Sequence, residues 1–347
     1  MMRALQLTAP GVLELREVAV PAIGPTDLLL RVGAAGICHS DLHVLHIPFK
    51  MRDNPLTLGH EVAGTIEAVG NAVDGRVVGE RGIVYLCWSC GVCRECVSGN
   101  ENVCRAAGRT AMPPCPGLGP DGGMAEYIRI PASSFVPIAE LDFVQAAPLA
   151  DAALSSYHAI DGARDQLYPG SVAAVIGIGG LGHVAVQILT ATSAARVIAV
   201  DVSADKLALA ARCGAAEGLL SGADTAREIL DRTDGRGADA VFDFVGVDAT
   251  ARLAVESVAP NGAYRMIGLG GGAPEITAGP AGGPGWPWGA SIRKSYGGTK
   301  SDLINSVALA QSGRLTVETE RFDLADGRAA LDRLERGLIT GRAVLVP

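Results

Sequence analysis

The sequence contains no uninterrupted run of about 18 apolar residues, the length that a membrane-spanning helix needs. Its opening segment, MMRALQLTAPGVLELREV, lacks an apolar stretch behind basic residues and a small-residue cleavage site, so we expect no export signal. Lysine and arginine form no block, and the formal net charge of -8 argues against a nucleic-acid-binding surface. No repeat of about 20 to 50 residues is evident, which argues against a repeat protein.

The composition is that of a globular protein with room for two domains. The chain has 347 residues, of which 48% are hydrophobic and 19% charged. Its 45 glycines are about twice the usual share of roughly 7%, as expected where tight loops approach a nucleotide. Five of the eight cysteines lie between Cys87 and Cys104. Such crowding is typical of a metal site in a reducing compartment, so we expect a cytoplasmic protein.

The pattern of apolar residues changes near residue 151. Up to about residue 130, short predicted strands such as 28–32, 61–69 and 127–130 alternate with Gly and Pro. Later, the apolar strands VAAVIG, RVIAVD and ADAVFDFVG alternate with alanine-rich amphipathic stretches, which predicts a parallel sheet with crossover helices. A Gly- and Pro-dense stretch, 268–289, is interpreted as a boundary loop. The sequence therefore predicts an α/β protein with a mostly-β part and a doubly wound part.

A glycine pattern follows the strand VAAVIG and opens a helix, the context in which G-x-G-x-x-G binds a dinucleotide. Its residues are Gly177, Gly179, Gly180, Leu181 and Gly182. Glycine lets the backbone approach a pyrophosphate at the helix N-terminus, although the pattern alone also fits a structural turn. Asp201 ends the next strand, where an acid accepts the ribose hydroxyls, and no Arg follows to bind a 2′-phosphate. We therefore expect NAD rather than NADP; capping of the helix at Ser203 is the alternative role.

Four cysteines are spaced C-x2-C-x2-C-x7-C, at Cys90, Cys93, Cys96 and Cys104. Four thiolates surround a zinc ion with no open position, as in a structural site. Cys87 precedes Cys90 with the same C-x2-C spacing, so a shifted ligand set is also permitted, and four thiolates can instead hold an iron–sulfur cluster. We favour zinc because other segments carry zinc-type ligands.

Further reactive side chains are concentrated in GICHSDLH (36–43) and GHE (59–61). A catalytic zinc needs three protein ligands and one open position. Cys38 and His60 provide two, and Asp151, an acid within the apolar stretch LADAA, is a candidate for the third. Taken singly, Cys38 fits a core position and Asp151 fits a helix cap. Together the three residues favour a metal site, in which the buried carboxylate requires a cationic partner.

The segments GICHSDLH, GHEVAG, the four-cysteine lobe, APLADAALSSYHA, VIGIGGLGHVAVQIL and AVD occur in the order found in zinc-containing medium-chain alcohol dehydrogenases. The chain resembles that family along nearly its whole length, and most closely its bacterial NAD-dependent secondary alcohol dehydrogenases, several of which use Asp as third zinc ligand. The resemblance implies a GroES-like catalytic domain at 1–152 and 288–347, with the zinc lobe at about 87–105. It implies an NAD-binding Rossmann domain at 153–287 and a cleft between the two domains.

The resemblance also implies a role for each matching residue. Cys38, His60 and Asp151 would bind a catalytic zinc, and the lobe cysteines a second zinc, so the expected cofactors are NAD(H) and two zinc ions. The remaining implied roles are orientation of His60 by Asp41, assistance to ligand exchange by Glu61, proton relay by Ser40 and His43, contact with the adenosine ribose by Lys206, contact with the pyrophosphate by Arg342, and contact with a cofactor phosphate by His39.

The expected reaction is hydride transfer between NAD(H) and an alcohol–ketone pair, with secondary alcohols favoured. The alternatives are a polyol, amino-alcohol or aromatic primary alcohol dehydrogenase of the same family and, more distantly, a non-enzymatic zinc-lobe binding protein. A zinc-free quinone reductase is disfavoured because both ligand sets are present. The implied partner is a small-molecule substrate, with no nucleic acid or membrane, and the implied assembly is a homotetramer or, alternatively, a homodimer.

Overall fold

The computed structural model describes residues 1–49, 52–276 and 286–347. The strands, in chain order, are β1 (Met2–Ala9), β2 (Val12–Val18), β3 (Asp27–Ile37), β4 (Leu56–Thr57), β5 (Glu61–Val69), β6 (Arg81–Val84), β7 (Tyr127–Pro131), β8 (Phe135–Pro137), β9 (Val172–Ile176), β10 (Arg196–Asp201), β11 (Glu217–Leu220), β12 (Ala238–Asp243), β13 (Val258–Met266), β14 (Ser291–Lys294), β15 (Thr319–Asp323) and β16 (Arg342–Val346). The helices are α1 (His39–Leu45), α2 (Arg94–Val97), α3 (Phe143–Ala146), α4 (Ala152–Asp161), α5 (Gly182–Thr192), α6 (Ala204–Arg212), α7 (Thr225–Asp231), α8 (Asp248–Ser257), α9 (Lys300–Gln311) and α10 (Gly327–Glu335).

The chain forms two compact units, and the first is built from both ends of the sequence. Unit 1 comprises Met1–Leu154 and Gly297–Pro347, and unit 2 comprises Ser155–Tyr296. The domain boundaries predicted after residues 152 and 287 remain a prediction. Residues 277–285 of the predicted boundary loop lie outside the described residues. Within the described ranges, no helix combines the length and apolar composition needed to cross a membrane.

In the described part of unit 1, the strands form two sheets. One has the order β2-β1-β4, and the other has the order β15-β16-β3-β5-β6-β8, with β7 pairing to β3. β3 is antiparallel to β5, β7 and β16, so the last strand of the chain lies beside one of the first. A shared apolar core, including Leu30, Ile37, Val62 and Leu345, is buried within this unit. The mostly-β character expected for this part of the chain is confirmed.

The described residues of unit 2 form one parallel sheet of six strands in the order β11-β10-β9-β12-β13-β14. The order reverses between β9 and β12, because β10 lies on one side of β9 and β12 on the other. This is the doubly wound order, in which ligands bind beyond the carboxyl ends of the strands at the reversal. The apolar residues of β9, β10 and β12 are buried, as their near-continuous hydrophobic runs predicted. The predicted parallel sheet is confirmed.

Candidate metal centre and cofactor turn

Cys38, His60 and Asp151 lie close together in unit 1 although they are far apart in the sequence. Cys38 directly follows β3 and is the N-cap residue of α1. His60 directly precedes β5, which is paired with β3. Asp151 follows a buried 3₁₀ turn, Ala147–Ala150. The pairing of β3 with β5 and the position of this turn therefore gather three side chains that spacing alone cannot relate.

The three side chains converge on one carboxylate oxygen. Asp151 Oδ2 lies 3.2 Å from Cys38 Sγ and 3.8 Å from His60 Nε2. One potential ligand atom from each of these residues and from Glu61 lies within 4.8 Å of the others. Cys38 and His60 are buried, and the Asp151 side chain is 15% exposed. Thiolate, imidazole and carboxylate groups at these separations form a donor set that fits zinc.

Asp41 contacts both Cys38 and His60 of this donor set. Its fully buried carboxylate accepts a hydrogen bond from the backbone N–H of Cys38 at 2.8 Å through Oδ2, and Oδ1 lies 3.5 Å from Nδ1 of His60. The Nδ1 atom therefore faces Asp41 and Nε2 faces Asp151. Burial lowers the pKa of His60, but Asp41, Asp151 and Cys38 together raise it well above its usual value. These anionic surroundings stabilise a cation at His60, as a zinc site requires.

A buried arginine connects two of the acids. Arg342 Nε donates to Glu61 Oε2 at 3.0 Å, and one terminal nitrogen donates both to Glu61 Oε1 and, at 2.9 Å, to Asp151 Oδ2. A Cβ atom at Gly36, which pairs with Glu61 across the two strands, would lie 1.9 Å from Glu61 Oε2. Glycine at position 36 thus makes room for the carboxylate. Sequence reasoning selected Glu61 and Arg342 separately and missed their contact.

The four lobe cysteines form a second group of potential ligands, at Cys90, Cys93, Cys96 and Cys104. The Sγ–Sγ distances are 3.5 Å for Cys93–Cys96 and 3.9 Å for both Cys90–Cys96 and Cys93–Cys104. A tetrahedral zinc with bonds of about 2.3 Å has ligand separations of about 3.8 Å, so the thiols fit one ion. A cubane iron–sulfur cluster would place each thiolate on a separate iron. Backbone N–H donors lower the pKa of Cys93 to about 6, which favours the ligating thiolate.

Cys87 lies outside this group. Its thiol is buried beside Tyr85 and accepts a hydrogen bond from the backbone N–H of Gly298, and burial raises the pKa of the Cys87 thiol to about 12. The Tyr85 hydroxyl donates to the carbonyl of Gly298 at 2.7 Å. The Cys87 Sγ is not one of the four lobe sulfur atoms that lie within 4.8 Å of one another. The geometry thus favours the four-cysteine set without Cys87. Burial also raises the pKa of Cys115, for which the structure suggests no role.

The residues of the predicted proton relay lie on α1. Ser40 Oγ lies 3.7 Å from Cys38 Sγ and the residue is partly buried, whereas His43 is exposed. Positions three apart on a helix are neighbours on one face. Ser40 and His43 are therefore ordered from the group formed by Cys38, His60 and Asp151 towards solvent. His39 begins the same helix and is exposed.

The glycine turn of unit 2 has the geometry that a dinucleotide needs. Gly177 has a positive φ of 88°, and a Cβ at Gly182 would lie 1.8 Å from the Gly177 carbonyl oxygen, so the start of α5 packs directly on the end of β9. A Cβ at Gly179 would meet nothing within 4 Å. Gly180 and Leu181 complete the turn before α5. The turn leaves open space at its second glycine, where the backbone can approach a pyrophosphate.

Two side chains fix this turn. Asp201, at the end of β10, is 6% exposed and accepts hydrogen bonds from the backbone N–H groups of Ile178 at 2.7 Å and Ser203 at 3.0 Å. A ring nitrogen of the buried His183 lies 2.8 Å from the Gly179 carbonyl oxygen. The carboxylate of Asp201 is therefore held beside the turn. Sequence reasoning missed the contact of His183.

The contacts described above do not involve Lys206, His46, Trp286 or Trp288. Lys206 is partly buried in the first turn of α6. His46 forms a surface pair with Glu335. Trp286 packs against the core of unit 2, and Trp288 is 81% exposed. The contact of Arg342 with the cofactor pyrophosphate stays a prediction.

Comparisons with known proteins match both halves of the chain. Residues 24–140 match the family model of the alcohol dehydrogenase GroES-like domain, and residues 180–312 match that of zinc-binding dehydrogenases. A NAD-dependent alcohol dehydrogenase of Sulfurisphaera tokodaii is 34% identical, with 100% of each chain covered. The crystal structure of the alcohol dehydrogenase of the archaeon Aeropyrum pernix is 34% identical with a TM-score of 0.90, covering 99% of this chain and 100% of that one. The structure of acetophenone reductase from Geotrichum candidum in complex with NAD is 32% identical with a TM-score of 0.83, covering 100% of this chain and 97% of that one.

Proposed function

Since the chain belongs to the zinc-binding alcohol dehydrogenase family, we propose that it transfers hydride between NAD(H) and an alcohol–ketone pair and prefers secondary alcohols and ketones. The family membership and the NAD-dependent relative support the reaction and the cofactor. The preference for secondary alcohols is supported by the similarity to acetophenone reductase, whose substrate is a ketone. Polyol, amino-alcohol and aromatic primary alcohol substrates are the alternatives that substrate kinetics would distinguish.

The observation that carries the proposal is the convergence of Cys38, His60 and Asp151 on one point. When bound, zinc would supply Lewis acidity towards the substrate oxygen and NAD would accept or donate the hydride. Cys38 and Asp151 supply two negative ligand charges, and His60 supplies a neutral nitrogen. Asp41 keeps His60 in the tautomer that leaves Nε2 available as the ligand atom.

The order of residues along α1 supports a proton relay. Ser40 Oγ, beside the Cys38 thiol, would accept the alcohol proton and pass it to the cofactor ribose. The exposed His43 would then transfer the proton from the ribose to solvent. Histidine suits the outer position because its pKa lies near neutrality. Glu61, held by Arg342, would assist ligand exchange at the metal.

The cofactor site would be built on the glycine turn. Gly177, Gly179, Gly180, Leu181 and Gly182 would form the pyrophosphate cradle. Asp201 would accept the ribose hydroxyls, and Lys206, five residues later, would contact the same ribose. His39 and Arg342 would contact the cofactor phosphates. Cys90, Cys93, Cys96 and Cys104 would hold the second, structural zinc.

Three further proposals concern the whole protein. The catalytic domain would comprise 1–152 and 288–347, and the NAD-binding domain 153–287. No disulfide joins any of the eight cysteines, all of which lie in the described ranges, and this supports a reducing, cytoplasmic location. A homotetramer, with a homodimer as alternative, is proposed by analogy with the family alone.

The test combines a substrate panel with metal analysis. Primary alcohols, secondary alcohols and ketones are assayed with NAD(H) and NADP(H), and zinc is measured on the same sample. Asp151→Asn should lose about one zinc per chain and nearly all activity, because the amide carries no charge, whereas the exposed Asp165→Asn should change neither. Retention of both zinc ions with near-normal kcat in Asp151→Asn would contradict the proposed ligand set and leave Glu61 as the next candidate.

A further inference from the structure

Arg342 lies within the metal cluster and is 3% exposed. It begins β16, and the next residue, Ala343, pairs with Ile37, which directly precedes Cys38. The strand register therefore fixes the guanidinium beside the ligand group. The side-chain hydrogen bonds of Arg342 are to the two acids, Glu61 and Asp151.

Glu61 and Asp151 form different hydrogen bonds with the guanidinium of Arg342. Glu61 is fully buried, and both of its carboxylate oxygens accept hydrogen bonds from Arg342. Asp151 shares one oxygen, Oδ2, with the same guanidinium at 2.9 Å, and that oxygen is also the atom 3.2 Å from Cys38 Sγ. Arg342 thus binds Glu61 as a bidentate partner and Asp151 through a single bond. The bidentate arrangement is the stronger one.

Formal charges show what depends on this arginine. The thiolate of Cys38 and the carboxylates of Asp41, Glu61 and Asp151 contribute four negative charges. His60 is neutral as a ligand and Arg342 contributes one positive charge, so these groups total minus three. A divalent zinc ion neutralises two of these charges. Without Arg342 the total is minus four, and the buried Glu61 carboxylate has lost its bidentate partner.

Glu61 is close enough to a metal bound at this site to use it as a partner in place of Arg342. One of its oxygens lies within 4.8 Å of the ligand atoms of Cys38, His60 and Asp151. A carboxylate buried without a partner is costly and moves towards any available cation. A fourth protein ligand would convert an open catalytic site into a closed site of the structural type.

We propose that Arg342 keeps the fourth zinc position open by holding Glu61 away from the metal, a role that rests on the proposed ligand set of Cys38, His60 and Asp151. In this role Arg342 is a positioning residue that acts through Glu61. Removing its charge should tighten zinc binding and lower activity together. Loss of a residue that only hydrogen-bonds to a metal ligand has the opposite effect, because it weakens the affinity of the protein for the metal by about 10- to 100-fold.

The experiment measures zinc release from the holoenzyme to an excess of a chromophoric chelator. Arg342→Met should release the catalytic zinc at least about tenfold more slowly than the wild type, because a fourth ligand must be broken. The double variant Arg342→Met/Glu61→Gln should return to near the wild-type rate, because the amide does not replace a carboxylate as a zinc ligand. Arg265→Met is the matched control: this buried arginine of unit 2 bonds to backbone carbonyls and Ser291, and its loss should leave zinc release unchanged.

A second variant covers the case in which Arg342→Met does not fold. Arg342→Lys keeps the charge but presents a single ammonium group, which cannot hold both oxygens of Glu61 in a fork, so release should still be about threefold slower. Release at or above the wild-type rate in the folded variants overturns the proposal. So does slow release that persists in the double variant. A change in NAD affinity with unaltered zinc release would instead assign Arg342 to the pyrophosphate alone.

The failure of this proposal can be told apart from the failure of the proposed function. If the wild-type protein holds only one zinc, or Asp151→Asn keeps two, the ligand set itself is wrong. If the wild type holds two zinc ions and Asp151→Asn loses one, the ligand set stands. Faster zinc release from the Arg342 variants then overturns only the role of Arg342.

Discussion

Replacement of Asp41 by Asn tests how the metal centre is oriented. In the wild type, one carboxylate oxygen accepts from the Cys38 backbone N–H at 2.8 Å and the other faces His60 Nδ1 at 3.5 Å. If His60 binds zinc through Nε2, Nδ1 carries the hydrogen and needs an acceptor. The amide of Asn has only one acceptor oxygen. If that oxygen keeps the bond to Cys38, the amide NH₂ group points at the Nδ1–H group, and two donors oppose each other.

The magnitude follows from this geometry. Asp41 and His60 are buried, so the unsatisfied donor has no solvent to pair with and costs about 1–3 kcal/mol. Mutation of such outer partners weakens metal affinity by about 10- to 100-fold, which is the same range expressed as an equilibrium constant. We expect Asp41→Asn to fold, because the Cys38 bond can be kept, and to lose the catalytic zinc selectively. The lobe zinc should remain.

The assay is a chelator titration with zinc counted per chain, carried out at one alkaline pH where protons compete least for His60. Asp142→Asn is the control, since Asp142 is an exposed acid that also accepts from backbone N–H groups, at the start of α3. The control should keep both zinc ions. An Asp41→Asn protein with two zinc ions and unchanged chelator sensitivity would refute the orienting role of Asp41. Asp41→Asn and Arg342→Met are thus expected to change zinc retention in opposite directions.

Two further predictions concern the lobe and the cofactor. Cys93→Ser should lose one zinc and lower the unfolding temperature by at least about 5 °C, because metal binding supplies folding free energy. The control Cys213→Ser, in unit 2, should keep both zinc ions. Unchanged zinc content and stability in Cys93→Ser would disprove the lobe site. NADH should be preferred over NADPH by more than about tenfold in kcat/KM, a difference of about 1.4 kcal/mol, because the fixed Asp201 carboxylate repels a 2′-phosphate. Equal or higher kcat/KM with NADPH would show that Asp201 does not have this role.

Much of the fold could be predicted because the residue pattern reports it locally. The apolar runs of β9, β10 and β12 alternate with amphipathic helices, and that alternation is sufficient for a parallel sheet. The strand β3 was predicted to end at residue 32 but continues to Ile37. Gly33 and Gly36, with small alanines between, broke the expected strand pattern. In the structure Gly36 is needed because a side chain there would collide with Glu61.

The three candidate ligands were selected by residue type and by resemblance, and not by spacing. Cys38, His60 and Asp151 are separated by 22 and 91 positions, so no local periodicity connects them. Their proximity depends on the pairing of β3 with β5 and on the turn before Asp151. The lobe cysteines differ, because they lie within one short segment and their spacing alone defines the group.

The contact of Arg342 with Glu61 and Asp151 depends on the pairing of two strands that are distant in the sequence. A buried Asp151 requires a cationic partner, and the sequence contains a signal for one that was missed. Arg342 begins the otherwise apolar strand RAVLV, and a charge in such a position needs a carboxylate. Nothing local indicates that β16 pairs with β3, about 300 residues earlier in the chain. Once that register is known, Arg342 must lie beside Cys38 and the acids. The residue that we propose controls the open zinc position is therefore the one whose location depends most on long-range pairing.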